Sequence, residues 1–296
     1  RTNGVGVSVE PDLLVFAGGY TDLRGRNKSR RVDVYNTSSD AWTAFDMSQG
    51  RTLFAGASLG SLAMFGCGET GADVHSSETD TVDVWNASAA GGRSSAAWTV
   101  ARLSQPRKKC SAAAVVLSRY TRDGARRSHS ATKGYPGPVR EGKLLFAGGW
   151  PKNGHAPSAV VDIYDYRTAT WSVAKLSQAR MYMSAASVGT LAIFAGGLAP
   201  GGDVGTVDIY DAATGLWRVG APLPRPIREG TAIGTRHWAL FYGGNHVSMY
   251  HPQNDTWKQR NTSASWAKMA SAVIGESQRF AVFAGGIGCP GNDCDT

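Results

Sequence analysis

The sequence predicts an all-β fold, a six-bladed β-propeller with four antiparallel strands per blade and a sixth blade that is incomplete in this chain. The first observation is a segment with a glycine pair after a phenylalanine, which recurs at Phe16, Phe65, Phe146, Phe194, Phe241 and Phe283 and is degenerate in the second copy. A Val-Asp-Val/Ile-aromatic segment follows the glycines, and a run of small residues precedes the phenylalanine. Repetition of one such unit is the sequence pattern of a propeller.

Each unit divides into four short β-prone segments separated by Gly, Asp, Asn, Ser or Pro, without a helical period. The small-residue run is the predicted innermost strand, because blades crowd together near the axis and only short side chains fit there. The second strand ends at the glycine pair, and the third is the Val-Asp segment. The fourth strand carries a tryptophan, and the tryptophans expected at equivalent places are Trp42, Trp98, Trp171, Trp217 and Trp257.

A single propeller domain is predicted for residues 1–296. Its blades are expected at about residues 1–48, 49–105, 106–177, 178–223, 224–262 and 263–296. Residue 1 begins an innermost strand, and the sixth blade has two strands, so we expect the chain to be part of a longer polypeptide. Residues outside this chain would complete the sixth blade, because an open ring exposes two strand edges.

The glycine pair, the tyrosine and the tryptophan of each unit resemble the kelch repeat, and the resemblance covers essentially the whole chain. Kelch domains are similar in fold far more than in function. They serve as docking modules for protein partners and as scaffolds of enzymes such as the galactose oxidase group, so function has to be argued from the loops. In that family, the turns after the glycine pair and the turns leading to the next inner strand share the face that usually binds partners.

A ring of positive charge is predicted on that face. The residues aligned at its six places are Arg1, Arg51, Arg107, Arg180, Arg225 and Trp266. Arginine suits carboxylate and phosphate recognition, and a formal net charge of +8 favours an acidic partner. The alternative is that these arginines only brace their turns. Further partner-binding candidates lie in the loops after the glycine pairs: Tyr20, Trp150 and His155.

The predicted function is therefore a non-catalytic protein-interaction domain that binds an acidic protein through the arginine-ringed face. Aspartates recur once per blade on the third strand, at Asp33, Asp83, Asp162 and Asp208. One aspartate at a fixed strand position indicates repeated hydrogen bonding rather than a converging metal or catalytic site. We expect no catalytic residues, metal or cofactor.

An enzyme on the same scaffold is the alternative function, either secreted and carbohydrate-related or similar to the copper-radical oxidases. Arg180-Met181-Tyr182 resembles the strand-start Arg-x-Tyr of that oxidase family, and Cys110 lies near the place of the cysteine that is cross-linked to the tyrosine there. No predicted inner strand carries a histidine to bind copper, which argues against this alternative. Glu69 and Asp73 begin an iron-binding motif resembling that of plant specifier proteins, but Ser77 stands where its histidine would be.

Membrane and nucleic-acid partners are not expected. The sequence has no 18-residue apolar run that would span a membrane. Residues 119–143 form a basic insertion between the first and second strands of the third blade, which we interpret as a solvated loop. It lacks the interleaved aromatic residues that stack on bases.

Cysteine and asparagine usage bear on the compartment. Cys289 and Cys294 are close enough in sequence to close a small disulfide loop, and zinc is disfavoured because no second ligand pair is nearby. Five asparagines begin N-x-S/T sequons and are candidate glycosylation sites: Asn27, Asn36, Asn86, Asn254 and Asn261. Turn chemistry is the rival cause of these asparagines. A secreted or luminal location is predicted, with a cytoplasmic location as the alternative.

Overall fold

The computed structural model describes residues 3–10, 12–22, 27–71, 77–89, 97–119, 138–267, 270–274, 280–284 and 287–288. The strands of its first half are β1 (Val5–Val9), β2 (Leu13–Ala17), β3 (Arg31–Asn36), β4 (Ala41–Asp46), β5 (Thr52–Leu59), β6 (Leu62–Thr70), β7 (Ser77–Glu78), β8 (Thr81–Asn86), β9 (Trp98–Arg102), β10 (Arg107–Lys108), β11 (Ser111–Arg119), β12 (Val139–Ala147) and β13 (Trp150–Pro151).

The strands of the second half complete an all-β fold. They are β14 (Val160–Asp165), β15 (Thr170–Lys175), β16 (Ser184–Val188), β17 (Leu191–Ala195), β18 (Leu198–Ala199), β19 (Gly202–Asp203), β20 (Val207–Asp211), β21 (Leu216–Val219), β22 (Thr231–Gly234), β23 (Ala239–His251), β24 (Thr256–Ala267), β25 (Ala270–Ile274), β26 (Phe280–Ala284) and β27 (Ile287–Gly288). Within the described ranges, no helix is long and apolar enough to cross a membrane.

Antiparallel four-stranded sheets follow one another along the chain, as the sequence predicts. The first has the order β1-β2-β3-β4, and the second β5-β6-β8-β9, with β7 paired to β6. The third is β11-β12-β14-β15, the fourth β16-β17-β20-β21, and the fifth β22-β23-β24-β27. A further pair, β25-β26, is called the sixth sheet below. The small-residue runs form β1, β5, β11, β16, β22 and β25, and each of these strands contacts the next in the series.

The tryptophans occupy one register position in the first five sheets, which confirms their predicted equivalence. Each is paired across the two outer strands with the aromatic residue of the third strand: Tyr35 with Trp42, Trp85 with Trp98, Tyr164 with Trp171, Tyr210 with Trp217 and Tyr250 with Trp257. Aromatic cross-strand pairs stabilise antiparallel sheets. In the fifth sheet, Phe241 and Tyr250 from the two halves of β23 both contact Trp257, so those halves lie side by side.

The hydrophobic core lies between successive sheets. The second-strand phenylalanine of each later sheet packs on residues of the preceding sheet, as Phe146 does on Ala57 and Met64 of the second sheet. The side chains at this position are fully buried in four sheets: Phe65, Phe146, Phe194 and Phe241. Burial of each such ring contributes about 1.5–3 kcal/mol. The repeated phenylalanine is therefore the residue that joins one sheet to the next.

The glycine pair follows the second strand because the chain turns there with a left-handed backbone. Gly148 has φ +64° and Gly149 has φ +104°. A β-carbon on Gly148 would collide with the carbonyl oxygen of Arg180 in the next sheet. In the second sheet Cys67 occupies the place of the first glycine, with φ +64°.

The basic insertion lies between β11 and β12, as predicted, but its predicted ends belong to the sheet. Arg119 pairs with Val139, and Val115 pairs with Lys143. Strand pairing therefore continues into the segment assigned to a loop, and residues 120–137 lie outside the described part of the chain.

Candidate functional site

Three of the predicted partner-binding arginines are buried inside their own sheets. Arg51, Arg107 and Arg180 each have a relative exposure of 0%. The Arg107 Nη2 lies 2.6 Å from Asp162 Oδ2, and the Arg180 Nη1 lies 2.7 Å from Asp208 Oδ2. Arg51 pairs with Asp83 in the same way. Burial lowers the pKa of all three guanidinium groups, an effect that the partner carboxylates partly offset.

The aspartates also hold the loop that leads into each sheet. Their Oδ1 atoms accept hydrogen bonds from backbone N–H groups: Ser48 to Asp83 (2.8 Å), Ser104 to Asp162 (2.8 Å) and Ser177 to Asp208 (2.9 Å). Each arginine in addition donates to backbone carbonyls, as Arg107 does to Phe146 (2.9 Å). The interpretation of these three aspartates as repeated hydrogen-bonding residues is confirmed. Asp33, the equivalent aspartate of the first sheet, lies 2.6 Å from Arg31, and the arginine place of that sheet, Arg1, is outside the described residues.

The predicted arginine ring therefore needs correction. Arg51, Arg107 and Arg180 brace the loops, and their buried guanidinium groups do not reach a partner on the surface. Arg225 is exposed, but its alignment is wrong by two residues. The Gly197 N–H donates to Ile227 (2.7 Å), as the Gly149 N–H donates to Arg180 (3.0 Å), so Ile227 occupies the arginine place in the fifth sheet.

The two ends of the predicted ring are only partly described. Arg1 lies outside the described residues. Trp266 lies in β24, where its backbone pairs with Gly244 and Gly288, and its side chain is outside the described part.

A second set of residues, two positions after the arginine place, lies around the mouth of a cavity between the first five sheets. All five members have a left-handed backbone, with φ between +52° and +59°: Asn3, Leu53, Lys109, Tyr182 and Glu229. This conformation costs about 1–2 kcal/mol per non-glycine residue. We call these five residues the mouth ring.

Backbone hydrogen bonds connect the mouth ring from sheet to sheet and explain its conformation. Each N–H group donates to the backbone carbonyl of the ring residue in the preceding sheet: Lys109 to Leu53 (2.8 Å), Tyr182 to Lys109 (3.1 Å) and Glu229 to Tyr182 (3.1 Å). The side chains of the ring line a cavity of about 360 Å³ together with neighbours such as Phe54 and Cys110. The site was missed in the sequence because its residues differ from sheet to sheet; the signal was their fixed spacing after each arginine.

Charged and aromatic groups meet on one side of this cavity. The Lys109 Nζ lies 4.6 Å from the centroid of the Tyr182 ring. The Tyr182 hydroxyl is hydrogen-bonded to Glu229, and burial together with that carboxylate raises the pKa of the phenol. Burial lowers the pKa of Lys109, and the neighbouring Lys108 lowers it further.

A salt-bridge network ties the loops of the first three sheets beside the mouth. Glu69 lies 2.8 Å from the Lys108 Nζ and 3.5 Å from the Lys28 Nζ, and Glu78 lies 3.1 Å from Lys108. Burial acts to raise the pKa of Glu69, but the hydrogen bonds and charges of the two lysines outweigh it and the pKa is lowered. Glu69 is thus engaged by lysines, while Asp73 of the iron-type motif lies outside the described residues.

The remaining partner-binding candidates lie in the loops around the mouth. Tyr20 forms a β-bridge with Lys28, and Trp150 pairs with Lys108, the neighbour of Lys109. His155 is exposed in the same loop as Trp150. The structure thus places Trp150 beside Lys108, next to the mouth ring, and His155 in the loop that follows Trp150.

A disulfide between Cys67 and Cys110 joins the second and third sheets beside the cavity. Their Cα atoms are 6.5 Å apart, and the residues are separated by 43 positions. This pair was not predictable from the spacing of the two cysteines in the sequence. Because Cys110 is bonded to Cys67, it is not available for a thioether bond to Tyr182, which removes one support for the oxidase-like alternative. The predicted Cys289–Cys294 disulfide lies outside the described residues.

The sequon asparagines divide into two groups. Asn36 accepts hydrogen bonds from the backbone of Ser38 (2.9 Å), and Asn86 does so from Ser88 (3.1 Å). Asp165 makes the equivalent bond in the third sheet, with Arg167 (2.9 Å), so turn chemistry accounts for this position. The three exposed sequon asparagines are Asn27, Asn254 and Asn261.

Comparisons with known proteins support the fold alone. No family model matches the chain. No curated protein matches it either. Solved structures do match, among them one titled "Structure of YjhT", with a TM-score of 0.67 and 13% sequence identity over 98% of this chain and 91% of that one. At this identity the likeness shows a shared all-β, propeller-like architecture.

Proposed function

We propose that this chain is a non-catalytic protein-interaction domain, a kelch-type propeller that binds an acidic protein on the face around the mouth ring. The observation that carries the proposal is a contrast between two sets of equivalent positions. The buried bracing pair is the same, Arg with Asp, in three sheets. The side chain at the mouth-ring position differs in every sheet: it is an amide in the first sheet, then an alkyl group, an ammonium group, a phenol and a carboxylate in the next four. Constant supports under variable surface residues are the pattern of a recognition site on a rigid scaffold.

A closed ring of six blades is part of this proposal. In the first sheet the residues equivalent to the buried interface are exposed: Leu14 by 38%, Phe16 by 43% and Trp42 by 62%. A complete sixth sheet, with a third and a fourth strand beyond β26, would cover this face as the first sheet covers the second. Residues outside this chain are the proposed source of those two strands.

The acidic character of the partner follows from the cations that remain on this face. Arg225 and Lys152 are exposed in loops at the mouth end of the sheets, and the chain has a net charge of +8. Exposed charges on one face steer an oppositely charged partner. The Cys67–Cys110 disulfide supports a secreted or luminal location, because such bonds persist in oxidising compartments.

Capture of an acidic probe tests this proposal. We expect the double charge reversal Arg225→Glu/Lys152→Glu to weaken binding of poly-L-glutamate by about tenfold or more at low salt. The matched control is Arg167→Glu/Arg236→Glu, which makes the same change in net charge in turns at the opposite end of the sheets. Equal loss in both variants would mean that only net charge matters, and that result would contradict a binding face.

A further inference from the structure

Two adjacent lysines at the mouth of the cavity have different surroundings. Lys108 is neutralised by Glu69 at 2.8 Å and Glu78 at 3.1 Å. Among the described residues, no carboxylate lies within ion-pair distance of the Lys109 Nζ, which instead contacts the face of the Tyr182 ring. Lys109 therefore presents a half-buried ammonium group to the cavity, although Lys108 beside it is paired.

The nearest anionic side chain of the mouth ring has another partner. Glu229 is hydrogen-bonded to the Tyr182 hydroxyl, whereas Lys109 contacts the face of the same ring. Its charge acts on Lys109 only at longer range. A half-buried ammonium group is stabilised most by an anion whose oxygen atoms accept hydrogen bonds from its N–H groups.

Apart from Asn3, the cavity wall formed by the first and second sheets is apolar. Val5, Leu53 and Phe54 line it on the side of the first and second sheets, while Lys109, Tyr182 and Glu229 line it on the side of the third to fifth sheets. A volume of about 360 Å³ accommodates a group of small-ligand size. The complementary group therefore has an anionic oxygen end beside a compact apolar body.

We propose that the mouth cavity binds a carboxylate with an adjacent aliphatic group, the carboxylate on Lys109 and the aliphatic group against Leu53 and Phe54. This inference rests on the proposed function, because it names the acidic group that the face recognises. The same chemistry occurs in a free small acid and at the C-terminus of a peptide, and the experiment separates the two sources.

The test uses N-acetylleucine and its neutral amide, N-acetylleucinamide, in titrations followed by calorimetry and by the NMR signals of the Leu53 methyl groups. We expect the acid to bind at least about tenfold more tightly than the amide, because the amide lacks the charge-assisted hydrogen bond. Lys109→Asn should weaken binding of the acid by a similar factor. This variant suits the backbone, because Asn3 has the same left-handed conformation in the first sheet.

Lys108→Asn is the matched control and should retain the affinity for the acid although it breaks two salt bridges. Equal affinity for acid and amide, unchanged binding in Lys109→Asn, or no binding at millimolar acid would each overturn the inference. A leucine-terminated peptide that binds more tightly than N-acetylleucine assigns the site to a chain terminus, whereas equal affinity assigns it to free acids. If Lys109→Asn still captures poly-L-glutamate, the proposed function stands without this site.

Discussion

The Arg107–Asp162 and Arg102–Asp80 ion pairs have the same nitrogen–oxygen distance, 2.6 Å, but opposite exposure. The Arg107 side chain is 0% exposed and the Arg102 side chain 70%. Burial decides how much such a pair matters, because water screens the surface pair and replaces its lost partner. An unpaired charge left in the interior has no such replacement.

We therefore predict that Arg107→Met lowers the free energy of unfolding by about 3–5 kcal/mol, because it leaves Asp162 buried without its counter-ion. Urea denaturation measures the change. Arg102→Met is the control and should cost less than about 1 kcal/mol.

Adding Asp162→Asn to Arg107→Met should recover part of the loss, since an amide oxygen can still accept the Ser104 N–H. A small effect of Arg107→Met, equal to that of Arg102→Met, would show that the guanidinium is not a brace.

The sequence showed both members of these pairs but not their pairing. Arginine before the inner strand and aspartate on the third strand each recur once per repeat, yet they are 55 residues apart in the case of Arg107 and Asp162. Only the sheet brings them together. The Arg225 alignment failed for a different reason. Ile227, which takes the arginine place by its backbone hydrogen bond, is not an arginine, and it follows Trp217 by ten residues where Arg180 follows Trp171 by nine.

At the scale of strands and turns, Cys67 shows how one substitution changes an element. The first position of the glycine pair has a left-handed backbone in every one of the first four sheets, and in the second sheet a cysteine adopts it with φ +64°. Strain at such a position costs about 1–2 kcal/mol for a side chain. The bond to Cys110 holds the residue there.

We predict that Cys67→Gly/Cys110→Ser lowers stability by about 2–3 kcal/mol under oxidising conditions. Loss of a cross-link over 43 residues costs about 4 kcal/mol in the chain-entropy model, and relief of the left-handed cysteine returns about 1–2 kcal/mol. Thermal or urea unfolding measures the difference.

Repeating the comparison of variant and wild-type chain under a reducing agent is the control, because the wild-type disulfide is then broken. The variant should then be at least as stable as the reduced wild-type chain, because glycine suits the turn and no cross-link remains in either. A variant that is less stable by the same amount in both conditions would show that the two side chains act by packing and not by the bond.

Strand types were predictable where composition follows from position in the sheet. Small residues mark β1, β11 and β16, and tryptophan marks the fourth strand, because crowding near the axis and exposure at the edge act on every repeat alike. The fused strand β23 was not predictable, since its turn at Gly244 is too short to leave a polar loop in the sequence. Strand pairing beyond Val115 was hidden for the opposite reason, because Glu141 and Lys143 read as part of a charged insertion.

At the scale of the whole molecule, stability depends on each sheet being covered by its neighbour. Phe146 is 0% exposed between the second and third sheets, whereas Phe16, at the equivalent position of the first sheet, is 43% exposed. The exposed fraction of the phenylalanine at this strand position therefore shows how completely each sheet is covered by its neighbour.

We predict that Phe146→Ala lowers the free energy of unfolding of this chain by about 3–5 kcal/mol, as expected for a large side chain removed from a packed core. Phe16→Ala should cost about half as much or less, because nearly half of that ring is already in water. Urea denaturation of the two variants gives the ratio directly. If further strands then complete the sixth sheet, as proposed, the cost of Phe16→Ala should rise to that of Phe146→Ala. Equal costs already in residues 1–296 would show that the first sheet is covered without further strands and would refute the proposed completion of the ring.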